Sequence, residues 1–265
     1  MREGFAKDWI HHQLPLIPGW DFSGTIDRLG PGVTGFKVGD DVYTRADVSR
    51  NGAYAEYLIV KASELAHKPR SIDHVHAAAV PLAALTAWQA IFDLGGLEPG
   101  QTILIHGAAG GVGHFAVQLA KWKGARVIAT GSGRSERLLR ELGADEFIDY
   151  TKRKFEDVVR DVDVVLDVVG GDTTTRSLHV LKKGGILVST IASPPEEEVR
   201  KLGVRAVTVS TQTNVGQLEE IARLIDGGSV KPDVEQILPL PEARKAQEIS
   251  QSGHAHGKIV LEVGA

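Results

Sequence analysis

A glycine-rich turn between an apolar run and a helical pattern is the feature of this sequence best suited to chemistry. The run is Thr-Ile-Leu-Ile-His at residues 102–106, and the turn is Gly-Ala-Ala-Gly-Gly-Val-Gly at residues 107–113. Glycine permits a sharp turn and lets a bound anion approach without meeting a Cβ atom. The unpaired amides and the dipole of the following helix favour negative charge at its start. The turn therefore predicts a site for the diphosphate of a dinucleotide.

The spacing of this turn matches the dinucleotide pattern Gly-x-Gly-x-x-Gly except at its first position. Ala108 stands there, while Gly110 and Gly113 keep the other two glycines. A Walker phosphate loop is a poor alternative, because no Lys-Ser or Lys-Thr pair follows the glycines. The strand before the turn and the helix after it favour a dinucleotide site over a structural turn without a ligand.

The end of the next predicted strand indicates which dinucleotide would bind. A site for NAD usually carries a carboxylate there, about 20 residues beyond the turn, which holds the ribose diol. This chain has Thr-Gly-Ser-Gly-Arg at residues 130–134 and no carboxylate before Glu136. Ser132 and Arg134 instead offer a hydroxyl and a guanidinium that suit a 2′-phosphate. The sequence favours NADP over NAD, and the alternative is that Arg134 only begins a solvated helix face.

The elements around this turn alternate between strand and helix. Short apolar runs predict strands at residues 102–105, 126–129, 146–148, 162–169 and 185–189. Helical patterns lie between them at residues 111–123, 136–142, 155–160 and 173–181. Apolar runs without strict alternation are typical of strands covered on both faces. The succession predicts an α/β fold with a doubly wound parallel Rossmann sheet.

The two ends of the chain have a different pattern. Short β segments broken by glycine turns are predicted at residues 25–29, 41–44 and 53–60. After a further helix at residues 217–225, the tail has an extended piece, a short helix and a final strand, at residues 234–238, 242–251 and 258–263. The closing strand could rejoin the opening segments. We therefore predict a smaller β-rich domain from residues 1–83 and 230–265, and a nucleotide-binding domain from residues 84–229.

Composition limits the class of protein. The chain has 265 residues, of which 42% are hydrophobic, enough for a substantial core in one or two domains. The net charge of −4 gives no general attraction to nucleic acid. The opening residues lack the apolar stretch of a secretory signal, and the most apolar window, residues 75–94, contains His76, Pro81, Gln89 and Asp93. We expect a soluble cytoplasmic protein without a membrane or nucleic-acid partner.

Residue usage and spacing predict no metal site. The chain has no Cys, which excludes disulfides, thiolate metal ligands and Cys nucleophiles. Its closely spaced His pairs are His11 with His12, His74 with His76, and His254 with His256. Two positions that are two residues apart on a helix do not share a face, and the spacing implies no third ligand.

Motifs along nearly the whole chain form one pattern. Gly-Trp-Asp-Phe-Ser-Gly at residues 19–24, followed by Gly30 and Val33, has the spacing of the signature G-H-E-x-x-G-x5-G-x-x-V. The other motifs are Gly-Asp-Asp-Val-Tyr at 39–43, Gly-Ala-Tyr-Ala-Glu-Tyr at 52–57, Leu-Thr-Ala-Trp at 85–88, Gly-Ala-Asp at 143–145 and Ile-Asp-Tyr at 148–150. Together they make the sequence resemble the medium-chain dehydrogenase/reductases, specifically the zinc-independent quinone-oxidoreductase branch.

The resemblance implies a GroES-like substrate domain beside the Rossmann domain, and NADPH-dependent reduction of quinones or activated enones. Trp20 occupies the place where zinc-using members carry a His ligand, so no zinc is expected. Family members begin with additional strands, so residues 1–4 are expected to lie already inside a shortened, partial GroES-like domain. An exposed sheet edge there would favour a homodimer, which is a hypothesis with a physical motive.

The resemblance also implies roles for individual residues. Those that would line the pyrophosphate are Ala109, Gly110, Gly111 and Val112. Those that would border the adenosine and its 2′-phosphate are Gly131, Ser132, Arg134 and Tyr150. Those that would approach the nicotinamide are Thr86, Thr190, Ile191, Ala192 and Ser193. For Tyr150 and Thr86 the alternatives are a half-buried aromatic residue and a helix hydroxyl bonded to its own backbone.

The proton donor for such a reduction is less evident in the sequence. Tyr43 and Tyr54 are candidates for donating a proton or a hydrogen bond, and the alternative is that both are core residues. Reduction could also take its proton from solvent. We expect NADPH to deliver hydride to a small electrophilic, carbonyl-conjugated substrate. The alternative function is a non-catalytic NADPH-binding sensor or structural protein.

Overall fold

The computed structural model of the protein describes residues 14–253 and 255–264. Its strands, in chain order, are β1 (Asp21–Thr25), β2 (Asp41–Arg45), β3 (Ala66–His67), β4 (Thr102–His106), β5 (Arg126–Gly131), β6 (Glu146–Asp149), β7 (Val162–Asp167), β8 (Leu181–Ser189), β9 (Arg205–Thr208), β10 (Val234–Pro239) and β11 (Lys258–Glu262). Its α-helices are α1 (His74–Ala78), α2 (Pro81–Trp88), α3 (Gly113–Trp122), α4 (Glu136–Glu141), α5 (Asp172–Ser177), α6 (Glu196–Leu202), α7 (Val215–Asp226) and α8 (Ala243–Gln251). A π-helical stretch, Gln89–Leu94, continues α2.

The chain divides into two compact units. The first comprises the described residues of Met1–Leu82, Thr213–Gly227 and Val234–Ala265, and the second comprises Ala83–Gln212 and Gly228–Asp233. This division differs from the predicted domain boundaries mainly at residues 213–227, which the prediction places in the nucleotide-binding domain. The structure groups them with the first unit because α7 packs against β3.

The second unit is built on a six-stranded parallel sheet with the order β6-β5-β4-β7-β8-β9. This is the strand order of a doubly wound Rossmann sheet, so the predicted α/β fold is confirmed. β4 and β7 are neighbours in the sheet although two strands separate them along the chain. Ligands of such sheets bind at the carboxyl ends of the strands where the order reverses, which is here between β4 and β7.

Burial on both faces explains the unbroken apolar runs of the central strands. All residues of β4 and β5 are buried except the first residue of each strand. One face carries a core that combines Leu104, Val165 and Leu187 from the strands with Phe155 and Leu178 from the connections. Each such side chain contributes about 1.5–3 kcal/mol when it leaves water. Helices on both faces make this burial possible, which is why these strands do not alternate apolar and polar residues.

The first unit contains two small sheets. β1, β2 and β3 form an antiparallel sheet, and β10 and β11 form a parallel pair. α1 packs against β1 and β11, and it begins where the Asp73 carboxylate accepts a hydrogen bond from His76 N at 2.8 Å. Such a cap satisfies one of the first amides of the helix, which have no partner within it.

Several local elements differ from expectation. The strand predicted at residues 53–60 is irregular chain, with Tyr57 74% and Ile59 90% exposed, so its strand-like composition finds no pairing partner among the described residues. The first strand lies at Asp21–Thr25 rather than at residues 25–29. The helix expected at residues 155–160 is a single 3₁₀ turn, Phe155–Asp157. In the described part of the chain, no helix has the length and apolar character needed to cross a membrane.

Candidate functional site

The carboxyl edge of the parallel sheet brings most of the predicted site residues together. In the strand register His106 lies beside Asp167, and Asp167 lies beside Ser189. On the other side of β4, Gly131 lies beside Asp149. The segments that leave the strands at this edge include residues 107–112, 132–134, 150–151 and 190–193. The predicted pyrophosphate, adenosine and nicotinamide residues of these segments therefore follow neighbouring strands at one edge.

The glycine turn after β4 is packed so tightly that two of its positions exclude a side chain. Gly107 has a φ of +62°, and a Cβ atom there would lie 2.7 Å from Val168 Cγ2. A Cβ atom on Gly113 would lie 2.3 Å from the carbonyl oxygen of Gly107 and 2.6 Å from Ala108 Cα. A Cβ atom on Gly110 would lie 3.3 Å from the carbonyl oxygen of Gly107. The first turn of α3 thus rests directly on the backbone of the loop.

Hydrogen bonds from α3 fix the end of this loop. The Gly110 carbonyl accepts from His114 N at 3.1 Å and lies 3.0 Å from His114 Nδ1. Asp233 N donates to His114 Nε2 at 3.3 Å, so Nδ1 carries the proton and donates to Gly110. The carbonyl is held toward the helix, while Gly111 and Val112 lead into its first turn, where amides lack helical acceptors. This arrangement favours a bound anion.

The predicted adenosine residues follow β5 and β6. Gly131 ends β5, and a Cβ atom there would lie 3.2 Å from Leu139 Cδ1. Ser132 continues in extended conformation, and Arg134 lies in the 3₁₀ turn after it. Tyr150 N donates to the Gly131 carbonyl at 3.2 Å, and the Tyr150 side chain is exposed. The structure therefore brings Tyr150 beside the end of β5, and it is not the half-buried aromatic residue of the alternative interpretation.

Ser189, the last residue of β8, holds the segment that follows this strand. Ser189 Oγ accepts from Ile191 N at 3.1 Å and from Ala192 N at 3.3 Å. Thr190 N donates to the Asp167 carbonyl at 3.0 Å. Ile191 is left 53% exposed. The exposed apolar side chain of Ile191 therefore lies at the edge of the sheet where the resemblance implies a nicotinamide.

Two hydroxyl pairs lie around the end of β9. Ser193 Oγ lies 2.7 Å from Thr208 Oγ1, and Thr208 is the last residue of β9. Thr86 is buried on α2, and its Oγ1 lies 2.7 Å from Thr211 Oγ1. Because residues 209–212 leave the carboxyl end of β9, this contact links α2 to the same edge of the sheet. The role of Thr86 near the nicotinamide stays a prediction.

Sequence reasoning missed a buried carboxylate at the end of β7. Asp167 is fully buried, and its Oδ1 accepts from Val169 N at 2.9 Å and from Gly170 N at 3.0 Å. Its Oδ2 accepts from Thr174 Oγ1 at 2.5 Å. The carboxylate therefore fixes the turn between β7 and α5. The available signal was an acidic residue at the end of a valine-rich strand, directly before Val-Val-Gly-Gly.

A buried histidine at the end of β4 was also missed. His106 Nδ1 lies 3.0 Å from Thr130 Oγ1, and its Nε2 lies 3.0 Å from Ser177 Oγ. Ser177 donates its own proton to the Thr173 carbonyl at 2.6 Å, so Nε2 carries the imidazole proton and Thr130 donates to Nδ1. Burial lowers the pKa of His106 to about 4. The neutral ring thus joins β4, β5 and α5 directly before the glycine turn.

This histidine predicts an acid-sensitive stability. In the unfolded chain the pKa of His106 is 6.5. Between pH 6.5 and about pH 4 this histidine is therefore protonated in the unfolded state and neutral in the folded state. We expect the free energy of unfolding to fall as the pH falls through this window, by roughly 2–3 kcal/mol. His106→Gln, which keeps a hydrogen-bonding group but does not titrate, should flatten this dependence in urea unfolding. Equal pH slopes for the two proteins would contradict the prediction.

The two tyrosines considered as proton donors lie in the first unit. Tyr43 is fully buried, its hydroxyl donates to the Leu218 carbonyl at 2.5 Å, and burial raises the pKa of the phenol. This placement matches the alternative of a core residue. Tyr54 is partly buried, and its ring packs against Gly19, where a Cβ atom would lie 2.4 Å from Tyr54 Cδ1. A catalytic role of Tyr54 stays a prediction.

The placement of Tyr43 predicts a change in stability without a change in chemistry. Tyr43→Phe removes one buried hydrogen bond and should lower the free energy of unfolding by about 1–2 kcal/mol. For the reduction that the resemblance implies, we expect kcat to stay within about twofold of wild type, because the hydroxyl donates its proton to a main-chain carbonyl. Thermal unfolding and steady-state kinetics on Tyr43→Phe, with Tyr54→Phe in parallel, measure both. A large loss of kcat at unchanged stability would assign Tyr43 to the reaction instead.

The histidines do not form a metal site in the described structure. His74 lies between Ser23 Oγ, at 2.9 Å from Nδ1, and Asp41 Oδ1, at 3.2 Å from Nε2. His76 Nδ1 lies 2.7 Å from Asp73 Oδ1. Across residues 14–253 and 255–264, no three His, Cys, Asp or Glu side chains are placed to hold a metal ion. His11, His12 and His254 lie outside the described residues.

Two family models match the chain. Residues 2–70 match a model described as alcohol dehydrogenase GroES-like domain, and residues 142–261 match one described as zinc-binding dehydrogenase. The first match confirms the predicted GroES-like character of the β-rich segment. The description of the second model names zinc. The usual zinc ligands are not found here, because the chain has no Cys and the described residues contain no cluster of metal ligands.

Similar proteins cover most of the chain. The mitochondrial NAD(P)H oxidoreductase RTN4IP1 of Mus musculus is 37% identical, over 99% of this chain and 77% of the mouse protein. The chloroplastic NADPH-dependent alkenal/one oxidoreductase of Arabidopsis thaliana is 37% identical, over 94% of this chain and 64% of that protein. The solved structure of a quinone oxidoreductase from Coxiella burnetii superposes with a TM-score of 0.90 at 34% identity, covering 98% of this chain and 82% of that one.

Proposed function

Since the chain belongs to the medium-chain dehydrogenase/reductase family, in its quinone-oxidoreductase-like branch, and is an NAD(P)H-dependent oxidoreductase, we propose that it reduces quinones or activated enones with NADPH and without zinc. The observation that carries the proposal is the turn of residues 107–112, on which Gly113 rests without room for a Cβ atom. A turn of this kind at the switch point of a doubly wound sheet is suited to a dinucleotide diphosphate. NADPH, when bound, supplies hydride to the acceptor.

The end of β5 supports NADPH rather than NADH. The segment after Gly131 contains Ser132 and Arg134, and it carries no carboxylate of its own to accept the ribose diol. A guanidinium is suited to bind a phosphate through paired hydrogen bonds. The Arabidopsis relative that acts on alkenals and alkenones is named NADPH-dependent, which supports the same choice.

The chain's own residues would orient the reactants and exclude water. The main-chain amides of Gly111 and Val112 would hold the diphosphate, and Ser189 would hold the segment that presents Ile191 to the nicotinamide ring. An exposed apolar side chain is suited to cover one face of an aromatic ring and exclude water there. Conjugation of the acceptor with a carbonyl lets the negative charge that follows hydride transfer reside on oxygen, where a hydrogen-bond donor or solvent can deliver the proton.

The loss of the usual zinc ligands of the family supports acceptors that need no metal. Trp20 stands where zinc-using relatives carry a His ligand, and no Cys is available anywhere in the chain. A quinone or an enone accepts hydride without a Lewis acid more readily than a simple ketone does. The chemistry of the chain's residues therefore favours conjugated acceptors.

Consumption of NADPH with a panel of acceptors tests this function. The panel contains a benzoquinone, a medium-chain alkenal, an alkenone and a saturated ketone, each measured with and without a metal chelator. We expect turnover of conjugated acceptors, none of the saturated ketone, and no effect of the chelator. Tight NADPH binding without turnover of any acceptor would favour the non-catalytic alternative, and absence of binding would contradict both.

Selectivity for NADPH has its own prediction at Arg134. Arg134→Ala should lower the preference for NADPH over NADH, as the ratio of the two kcat/KM values, by about 10- to 100-fold through loss of a charge-assisted hydrogen bond. The matched control is Arg137→Ala, because Arg137 lies three residues further on and forms an exposed ion pair with Glu141 at 3.2 Å. Equal ratios for wild type and Arg134→Ala would assign Arg134 to a solvated helix face.

A further inference from the structure

An ion pair after β6 lies against the segment that follows β5. Asp149 ends β6, and Lys152 Nζ lies 3.4 Å from Asp149 Oδ2. A Cβ atom on Gly133 would lie 2.8 Å from Asp149 Oδ2 and 3.9 Å from Lys152 Nζ. Both charges therefore stand over the backbone between Ser132 and Arg134. No sequence motif indicated this proximity, since it arises from the register of β5 and β6.

Asp149 and Lys152 differ in how many contacts they make with the rest of the protein and in how far their side chains are exposed. Asp149 Oδ1 accepts from Thr151 N at 3.0 Å and from Thr151 Oγ1 at 2.7 Å, and these bonds hold the pKa of the carboxyl below its usual range. The Asp149 side chain is only 12% exposed, whereas that of Lys152 is 79% exposed. The carboxylate is thus anchored, while the ammonium can turn toward a ligand and keep one contact with its partner.

The position of this ion pair and the hydrogen bonds that Asp149 already accepts determine which nucleotide the pair suits. A bare carboxylate over the segment would accept a hydrogen bond from a ribose diol and repel a 2′-phosphate. In this chain Thr151 occupies one carboxylate oxygen and Lys152 lies against the other. The ammonium therefore masks the charge that would reject the phosphate, and it adds a cation on the side of the segment where β6 ends.

We propose that Lys152 is a specificity-determining residue for the 2′-phosphate of NADPH, with Asp149 as the positioning residue that holds its ammonium over Gly133. This inference rests on the NADPH-dependent function proposed above. It assigns Lys152 two effects, attraction of the phosphate and neutralisation of Asp149. Loss of Lys152 would therefore weaken NADPH binding and leave an unmasked carboxylate that favours NADH.

The dissociation constants of NADPH and NADH for Lys152→Met test the inference. Methionine keeps most of the length of the unbranched side chain and removes its charge. We expect the Kd of NADPH to rise about tenfold, the Kd of NADH to stay constant or fall, and competition by adenosine 2′,5′-bisphosphate to weaken about as much as NADPH binding does. The matched control is Lys154→Met, an exposed lysine two residues further on, for which both constants should stay within about twofold.

A second variant separates masking from direct attraction. Adding Asp149→Asn to Lys152→Met removes the unmasked carboxylate, so part of the lost NADPH affinity should return. An equal rise of both Kd values in Lys152→Met, or unchanged Kd values, would overturn this inference. The proposed NADPH-dependent function would still hold in that case if the wild-type protein prefers NADPH. A wild type that binds neither nucleotide, or prefers NADH, would overturn the NADPH-dependent function together with this inference.

Discussion

Gly113→Ala is expected to disrupt the nucleotide site more than any other single methyl group added to the chain. The new Cβ atom would lie 2.3 Å from the Gly107 oxygen and 2.6 Å from Ala108 Cα, and these backbone atoms cannot rotate away as a side chain can. Either α3 moves off the loop or the loop deforms, and both disturb the amides at the start of the helix. We expect a stability loss of about 1–3 kcal/mol and a rise in the Kd of NADPH of about 100-fold or more, through loss of several hydrogen bonds to a charged group.

Two other glycines provide the matched controls for this variant. A Cβ atom on Gly110 would lie 3.3 Å from the Gly107 oxygen, which a small shift relieves, so Gly110→Ala should fold normally and bind NADPH weakly. Gly30 has nothing within 4 Å of such an atom, so Gly30→Ala should change neither property. Thermal unfolding and nucleotide titration of all three variants separate packing from binding. Wild-type affinity and stability in Gly113→Ala would contradict the predicted contact.

Asp167→Ala is expected to cause the largest loss of stability. It removes a fully buried carboxylate, so the Gly170 amide and the Thr174 hydroxyl lose their acceptor in a buried place and the partly buried Val169 amide loses the same acceptor. Unpaired buried donors cost about 1–3 kcal/mol each, so a loss of about 3–5 kcal/mol is expected after local rearrangement. Denaturant unfolding measures it, and NADPH affinity should fall as well, because Val168 in the same turn lies against Gly107.

Conservative and surface replacements control for the loss of the Asp167 carboxylate. Asp167→Asn keeps one acceptor oxygen for the two amides and offers a donor to the Thr174 hydroxyl, so most of the stability should remain. Asp27→Ala removes a carboxylate that forms only an exposed ion pair with Arg28 at 3.3 Å, and its effect should stay below about 0.5 kcal/mol. Similar losses for Asp167→Ala and Asp27→Ala would show that the buried turn does not depend on its carboxylate.

The parallel sheet was predictable because its central strands are covered on both faces. Continuous apolar runs mark β4, β5 and β7. β9 has the sequence Arg-Ala-Val-Thr at the open edge of the sheet, where partial exposure removes the apolar signal. The strand expected at residues 53–60 was wrong, because strand-like composition without a pairing partner does not make a strand.

The candidate site was predictable only where local sequence determines geometry. The glycine turn and the absence of a carboxylate after β5 are visible in a few consecutive residues. The contact of His106 with Thr130 and that of Lys152 with the segment at Gly133 depend on strand register, which brings together residues about 20 positions apart along the chain. No local pattern encodes such contacts. The cytoplasmic location and the homodimer stay predictions.

A crystal structure of the protein with saturating NADPH tests the proposed placement of the nucleotide on the turn after β4. We expect the diphosphate to lie against the amides of Gly111 and Val112, and the 2′-phosphate to lie beside Ser132 and Arg134. A nucleotide bound at another edge of the sheet, or a turn of residues 107–112 that stays empty at saturation, would contradict it.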